Sequence, residues 1–170
     1  MHVLLVNNST IPVYAYGGTE RVIWDLGKSL VKMGHKVSYL VPVGSHCDFG
    51  RVLPIDTKRS WQEQIPADID VTHFQFNPHV PPDVPYLVTE HGNARKTKPL
   101  SLNTVFVSQN HASRYGSDQY VLNGLDWESY GAVDLDNIRT RFHFLGKAAW
   151  SVKNVSGAIR VAKKAGVELD

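Results

Sequence analysis

A glycine pair, Gly17 and Gly18, stands between a short apolar run at residues 2–6 and a long amphipathic helix pattern, and that order limits what the chain can become. The run is nearly continuous in apolar residues, as expected of a strand buried on both faces of a parallel sheet. The helix pattern sets Val22, Leu26, Leu30 and Met33 on one stripe, with Lys32 in its last turn and Gly34 as its C-cap. A second strand is predicted over 37–43, within a few residues of the helix end. Strand, glycine turn, helix and strand in succession place Gly17 and Gly18 at a helix N-terminus on the carboxyl edge of a sheet. Free backbone N–H groups and the positive end of the helix dipole favour an anion there, typically a phosphate. Glycine suits the position because a Cβ would hold a ligand off the main chain. Thr19 either caps the helix or offers its hydroxyl to the ligand, and Glu20 suits the dipole without any further role.

Four more short apolar strands are predicted at 70–74 (DVTHF), 86–90 (YLVTE), 104–107 (TVFV) and 119–122 (QYVL). Short helices are expected at 59–65 and 110–115, and prolines make a loop of 78–85. Between 44 and 60, Gly44, Gly50 and Pro54 break any regular element. Strands alternating with helices argue for an α/β fold with a Rossmann-like, doubly wound, mostly parallel sheet, whose ligands sit beyond the carboxyl ends of the strands. Asn7, His73, Glu90, His91, Ser108 and Asn123 all fall at such ends. We read 1–125 as one domain and 126–140 as a polar linker. Residues 141–170 then open a fresh strand–turn–helix unit, with a strand at 141–145, Ser151 as N-cap and a helix over 152–165 closed by Gly166.

Composition narrows the classes. With 170 residues, 42% hydrophobic and 20% charged, the chain holds one full core and part of another. A net charge of +2 is too small to imply a nucleic-acid surface. The single cysteine, Cys47, fits a reducing compartment, and the N-terminus reads as a strand and not a signal peptide, so a cytoplasmic location is expected. The basic run Arg95-Lys96-Thr97-Lys98 reads as a solvated loop, with an anionic acceptor or a membrane surface as the other choices. No HExxH or paired CxxC spacing predicts a metal site, and the two DxD tripeptides, Asp68-Ile69-Asp70 and Asp134-Leu135-Asp136, read as accidental. Neither GxGxxG after the first strand nor GxxxxGK[ST] occurs, against a nicotinamide dehydrogenase or a P-loop nucleotidase.

Seven segments in order resemble the family 4 glycosyltransferases of the GT-B fold. They are GGTE (17–20), GHKV (34–37), DVTH (70–73), YLVTEHG (86–92), FVSQ (106–109), NGLD (123–126) and FLGKAAWSVKNVSGAI (144–159). The resemblance implies an acceptor-side Rossmann-like domain followed by the first strand–helix unit of a donor-binding domain. It implies an enzyme of carbohydrate biosynthesis that moves a sugar from a nucleotide-sugar to an acceptor hydroxyl, with retention and without a metal or other cofactor. The acceptor would be a sugar, a lipid or a small molecule.

On that resemblance, Gly17, Gly18 and Thr19 approach a phosphate, and His91 lies against the sugar being transferred as the catalytic residue. His73, Glu90 and Asn123 line the cleft, although Asn123-Gly124 also reads plainly as a turn needing φ > 0. Lys147 and Lys153 grip the donor diphosphate, with lysine where arginine is usual, and Asn154 replaces a glycine common in the family. The rest of the donor domain would lie beyond Asp170, in cis or in trans, and the 170 residues alone are expected to be inactive. Two alternatives stand beside this reading: a non-catalytic module that binds a sugar or phosphate, and one subunit of a split transferase.

Overall fold

The structure is a computed structural model that describes residues 1–78, 80–93, 99–136 and 141–170. It divides into two compact units, Met1–Ser129 and Tyr130–Asp170. The first is built on six strands: β1 (His2–Val6), β2 (Lys36–Val41), β3 (Arg51–Pro54), β4 (Val71–Phe74), β5 (Tyr86–Glu90) and β6 (Thr104–Phe106). Helix α1 (Gly18–Lys32) links β1 to β2, α2 (Trp61–Gln64) links β3 to β4, and α3 (Gln109–Ser113) follows β6. All neighbouring strands run parallel in the order β3-β2-β1-β4-β5-β6. The doubly wound α/β architecture expected from the sequence is present. Strand order reverses between β1 and β4, where Leu5 lies opposite Tyr39 on one side and His73 on the other. A crevice outside the carboxyl ends at such a reversal is where ligands of these sheets bind.

The two-residue period of a strand sorts the core. Val3, Leu5, Tyr39 and Val41 face Ile23 of α1, with Trp24, Leu26 and Leu30 packed beside them. Leu4, Val6, Leu40, Phe74 and Val88 face the other way, toward Trp61 of α2. Gly27 lets α1 settle on β2, because a Cβ there would lie 1.9 Å from the Tyr39 hydroxyl. Beyond Lys32, Met33 is the C-cap and Gly34 follows at φ 84, so the predicted glycine stop holds with the cap one residue earlier.

Several local expectations change. Residues 51–54, read as irregular, form β3 at the sheet edge, where a terminal proline costs no ladder bond. The stretch 119–122 makes only an isolated bridge, Tyr120 beside Phe106. Neither Asn123 nor Gly124 has positive φ, so the expected turn geometry is absent there. Part of the predicted linker, Trp127–Tyr130, is a 3-10 turn, and Asp126 is tied back to α1.

In the second unit, 141–145 contributes an isolated bridge between Phe142 and Leu169 in place of a full strand. Ser151–Lys153 is a 3-10 turn, and α4 (Val155–Ala165) starts after Asn154, not after Ser151. Asn154 sits in the left-handed region at φ 54, and its side chain accepts from the Gly157 N–H at 3.2 Å. Gly166 closes α4 at φ 68, as expected.

Candidate functional site

The first turn of α1 stands at the carboxyl edge of β1. Gly17 is its N-cap, and the first helical bond runs from Arg21 N–H to the Gly17 carbonyl at 3.3 Å. The N–H groups of Gly18, Thr19 and Glu20 therefore precede the helical ladder. Thr19 lies inside the helix and is not its cap. A Cβ on Gly17 would come within 2.7 Å of Val13 Cγ2 and 2.9 Å of Glu20 Oε2, so the Glu20 carboxylate folds back over the cap. Among the described residues nothing lies within 4 Å of the equivalent point on Gly18. The helix is thus open on one side and covered by its own carboxylate on the other.

Beside α1, over β4, β5 and β6, lies a cavity of about 410 Å³. Its floor follows from the strand period: His73 and Gln75 alternate on β4 and its extension, and Leu87, Thr89 and His91 on β5 and the residue after it. Val22 and Leu26 of α1 form one wall, and 121–125 the other. The second wall is tethered: Asp126 N–H donates to Asp25 Oδ2 at 3.0 Å, and Lys28 Nζ donates to Asp126 Oδ2 at 3.1 Å. The bond to Asp126 raises the Lys28 ammonium above its ordinary value.

Two hydrogen-bonded pairs occupy the floor. His73 Nε2 and Thr89 Oγ1 are 2.7 Å apart, and His91 Nε2 is 2.8 Å from Gln75 Oε1. A carboxamide oxygen only accepts, so His91 donates from Nε2–H, and its neutral ring keeps Nδ1 as the acceptor nitrogen. Burial pushes His73 down to about 4, with the neighbouring His91 adding to the effect. Burial also lowers His91, against the opposing pull of the Glu20 carboxylate, which ties this ring electrostatically to the first turn of α1. Gln75 is 7% exposed, and its Nε2 has no hydrogen-bond partner among the described residues.

The structure therefore brings His73, His91 and Asn123 to one cavity, together with Gln75 and Thr89, which the motifs did not single out. Gly17, Gly18 and Thr19 lie at the head of α1, outside the cavity lining. Glu90 points to the other face of β5 and is not part of the lining. Its Oε1 accepts from the Gly92 N–H at 3.4 Å, and burial raises its carboxyl above the usual range. Lys147 and Lys153 belong to the second unit. There Lys153 Nζ lies 5.3 Å from the Trp150 ring centroid, and a Cβ on Gly146 would be 3.6 Å from Lys153 Cβ. The run Arg95-Lys96-Thr97-Lys98 lies outside the described residues.

The first DxD sits at the opposite edge of the sheet. Asp70 accepts from the His2 N–H at 2.6 Å, and Asp68 pairs with His2 Nδ1 at 3.2 Å. In the second, Asp134 Oδ1 accepts from the Asp136 N–H. Among the described residues no three His, Cys, Asp or Glu side chains cluster as a metal would need. No described helix is long and apolar enough to cross a membrane.

No protein-family model matches the chain. No curated protein matches it either. Among solved structures it is similar to AviGT4, a glycosyltransferase involved in avilamycin A biosynthesis, with a TM-score of 0.71 at 22% identity. The likeness covers 99% of this chain and 55% of that one, so the chain spans about half of its neighbour's length. The two share a Rossmann-like fold over that length.

Proposed function

We propose that these 170 residues are the acceptor-side domain, with the opening of the donor-binding domain, of a family 4-like glycosyltransferase. The enzyme moves a sugar from a nucleotide-sugar to an acceptor hydroxyl with retention of configuration. The observation that carries this reading is the presence, on a fold shared with a glycosyltransferase, of a helix N-terminus open on one side and a half-buried His91 that burial keeps neutral. In the reaction the bond from the anomeric carbon to the diphosphate oxygen breaks, a bond from the acceptor oxygen forms on the same face, and the acceptor proton passes to the departing diphosphate. His91 orients the sugar through its ring, held by Gln75. The α1 N-terminus receives negative charge, as helix N-termini do at roughly 0.3–1 kcal/mol, up to about 2 when partly buried.

Lys147 and Lys153 supply charge to the leaving diphosphate on this reading, which assigns no metal or other cofactor. Trp150 fixes Lys153 by a cation–π contact. The lysines meet the diphosphate once the remainder of the donor domain is present, so the 170-residue chain by itself turns over little. We place the protein in the cytoplasm, on its cysteine usage.

The test isolates the protein from its source cells, weighs it, and offers it a panel of nucleotide-sugars while nucleoside diphosphate release is followed. The reading expects a mass well above 19.0 kDa, or a copurifying second chain, and release from at least one donor. A lone 19.0 kDa protein that binds a phosphosugar and releases nothing would make the chain a binding module instead.

A further inference from the structure

The cavity over β4–β6 has a chemistry that narrows the acceptor. Its volume of about 410 Å³ falls within the roughly 300–1,000 Å³ of small-molecule sites. The upper parts of both walls are aliphatic: Val22 and Leu26 on α1, and Val121 and Leu122 opposite, the latter pair 69% and 68% exposed. The floor carries His73, Gln75, Thr89 and His91, all neutral at pH 7, and the walls add Ser29, Asn123 and Asp25. His73 holds its proton only below about 4, His91 is lowered too, and Gln75, Thr89 and Asn123 carry no charge. Among the described lining residues Asp25 alone is formally charged, and it is negative and bonded to the Asp126 N–H.

An anion placed here would lose its water and gain no counter-charge, which is costly. A free sugar would bring more hydroxyls than the floor can satisfy, and would set the rest against Val22, Leu26, Val121 and Leu122. A neutral molecule with an apolar body and one oxygen meets both constraints. The oxygen has a designated donor. Gln75, a residue of the cavity floor, spends Oε1 on His91 and leaves Nε2 buried and without a hydrogen-bond partner among the described residues. Leaving such a donor unmet is costly, and a ligand that meets it recovers that cost.

We propose that this cavity binds a neutral apolar alcohol, its oxygen accepting from Gln75 Nε2 beside His91 and its hydrocarbon body between α1 and residues 121–125. The proposal rests on the transferase reading in making that alcohol the acceptor, but the binding itself does not depend on turnover. It also separates two sites by charge. Anions belong at the head of α1, and the uncharged acceptor belongs in the cavity.

The probe is 2-naphthol, with 2-naphthyl phosphate as its anionic counterpart, titrated into the 170-residue chain at pH 7.5 and followed by side-chain amide and methyl NMR. We expect saturable binding of 2-naphthol that shifts the Gln75 carboxamide and the Leu26 and Leu87 methyls, with the phosphate weaker by roughly tenfold or more. Gln75→Leu should weaken 2-naphthol by about fivefold or more, in line with one lost hydrogen bond. Leu87→Trp, which fills the floor and keeps the Gln75–His91 pair, should abolish binding, so that added 2-naphthol no longer moves the Gln75 resonance. Equal or tighter binding of the phosphate would overturn the proposal. So would shifts that spare Gln75, no saturation up to the solubility of 2-naphthol, or cavity methyls that move with protein concentration alone, which would mean a second copy covers this face. If 2-naphthol fails while the source-cell protein still consumes a nucleotide-sugar, the acceptor class falls and the transferase stands. If it binds as expected and no nucleotide-sugar is consumed, the cavity stands and the transferase falls.

Discussion

His73 illustrates how a buried titratable group makes stability depend on pH. Its folded value of about 4 lies below the ordinary 6.5, so between those limits the unfolded chain binds more protons than the folded one. Stability is therefore full above pH 6.5 and falls as the pH drops through this window, at most by about 1.4 kcal/mol per unit and roughly 3 kcal/mol across it. Urea unfolding at pH 7 and pH 5 should show the loss, and His73→Gln should flatten the profile. An unchanged slope in the variant would assign the loss to other groups. Tyr39 is a second residue-scale case. Its hydroxyl is buried without a hydrogen-bond partner among the described residues, and burial drives its pKa strongly upward. Removing an unsatisfied hydroxyl gives back its desolvation cost, so Tyr39→Phe should leave stability unchanged or raise it by about 1 kcal/mol. A loss above that range in urea unfolding would mean the hydroxyl has a partner after all.

At the scale of elements, the packing of α1 on β2 depends on one missing side chain. Gly27→Ala puts a methyl into the Tyr39 ring, which is fully buried and has nowhere to turn. The cost should be about 1–3 kcal/mol as overpacking, and smaller in the Tyr39→Phe background because the nearest clashing atom is gone. Equal losses in both backgrounds would show that the helix, and not the ring, gives way.

The elements also show what the amino-acid pattern carried and what it did not. The apolar runs at β1 and β2 were legible because strands buried on both faces leave a nearly continuous signature. The edge strand β3 was not, since Pro54 looks like a breaker until its place at the edge is known. Asn123-Gly124 spells a tight turn, yet neither residue has positive φ and both line the cavity. Asn154 was read as a departure from a family glycine. Its φ of 54 shows the same backbone demand met by the residue that tolerates it next best. In the site, His73 and His91 were visible as polar residues at strand ends. Gln75 and Thr89 needed the register of β4 and β5, because only the alternation of 73, 75, 89 and 91 puts them on one face.

At the scale of the molecule, the two units differ in how much they bury. The sheet of Met1–Ser129 is apolar on both faces, whereas among the described residues of Tyr130–Asp170 the one buried hydrophobic residue is Ala162. Leu145, Val152 and Val161 are exposed there. An 11-residue helix with so little packing is marginal, so hydrogen exchange of α4 amides should run at least about 10²-fold faster than that of β1 and β2. Equal protection would mean the second unit is stabilised by contacts the core pattern does not reveal. For the account as a whole, the claim that matters is that sugar transfer takes place at His91, between the head of α1 and the cavity. The direct measurement is the rate of nucleoside diphosphate release by the source-length protein, wild type against His91→Ala, with far-UV circular dichroism to check the fold. The account predicts a loss on the order of 10²-fold with the fold intact. Unchanged release in the variant, or no release by the wild type from any nucleotide-sugar, would contradict it.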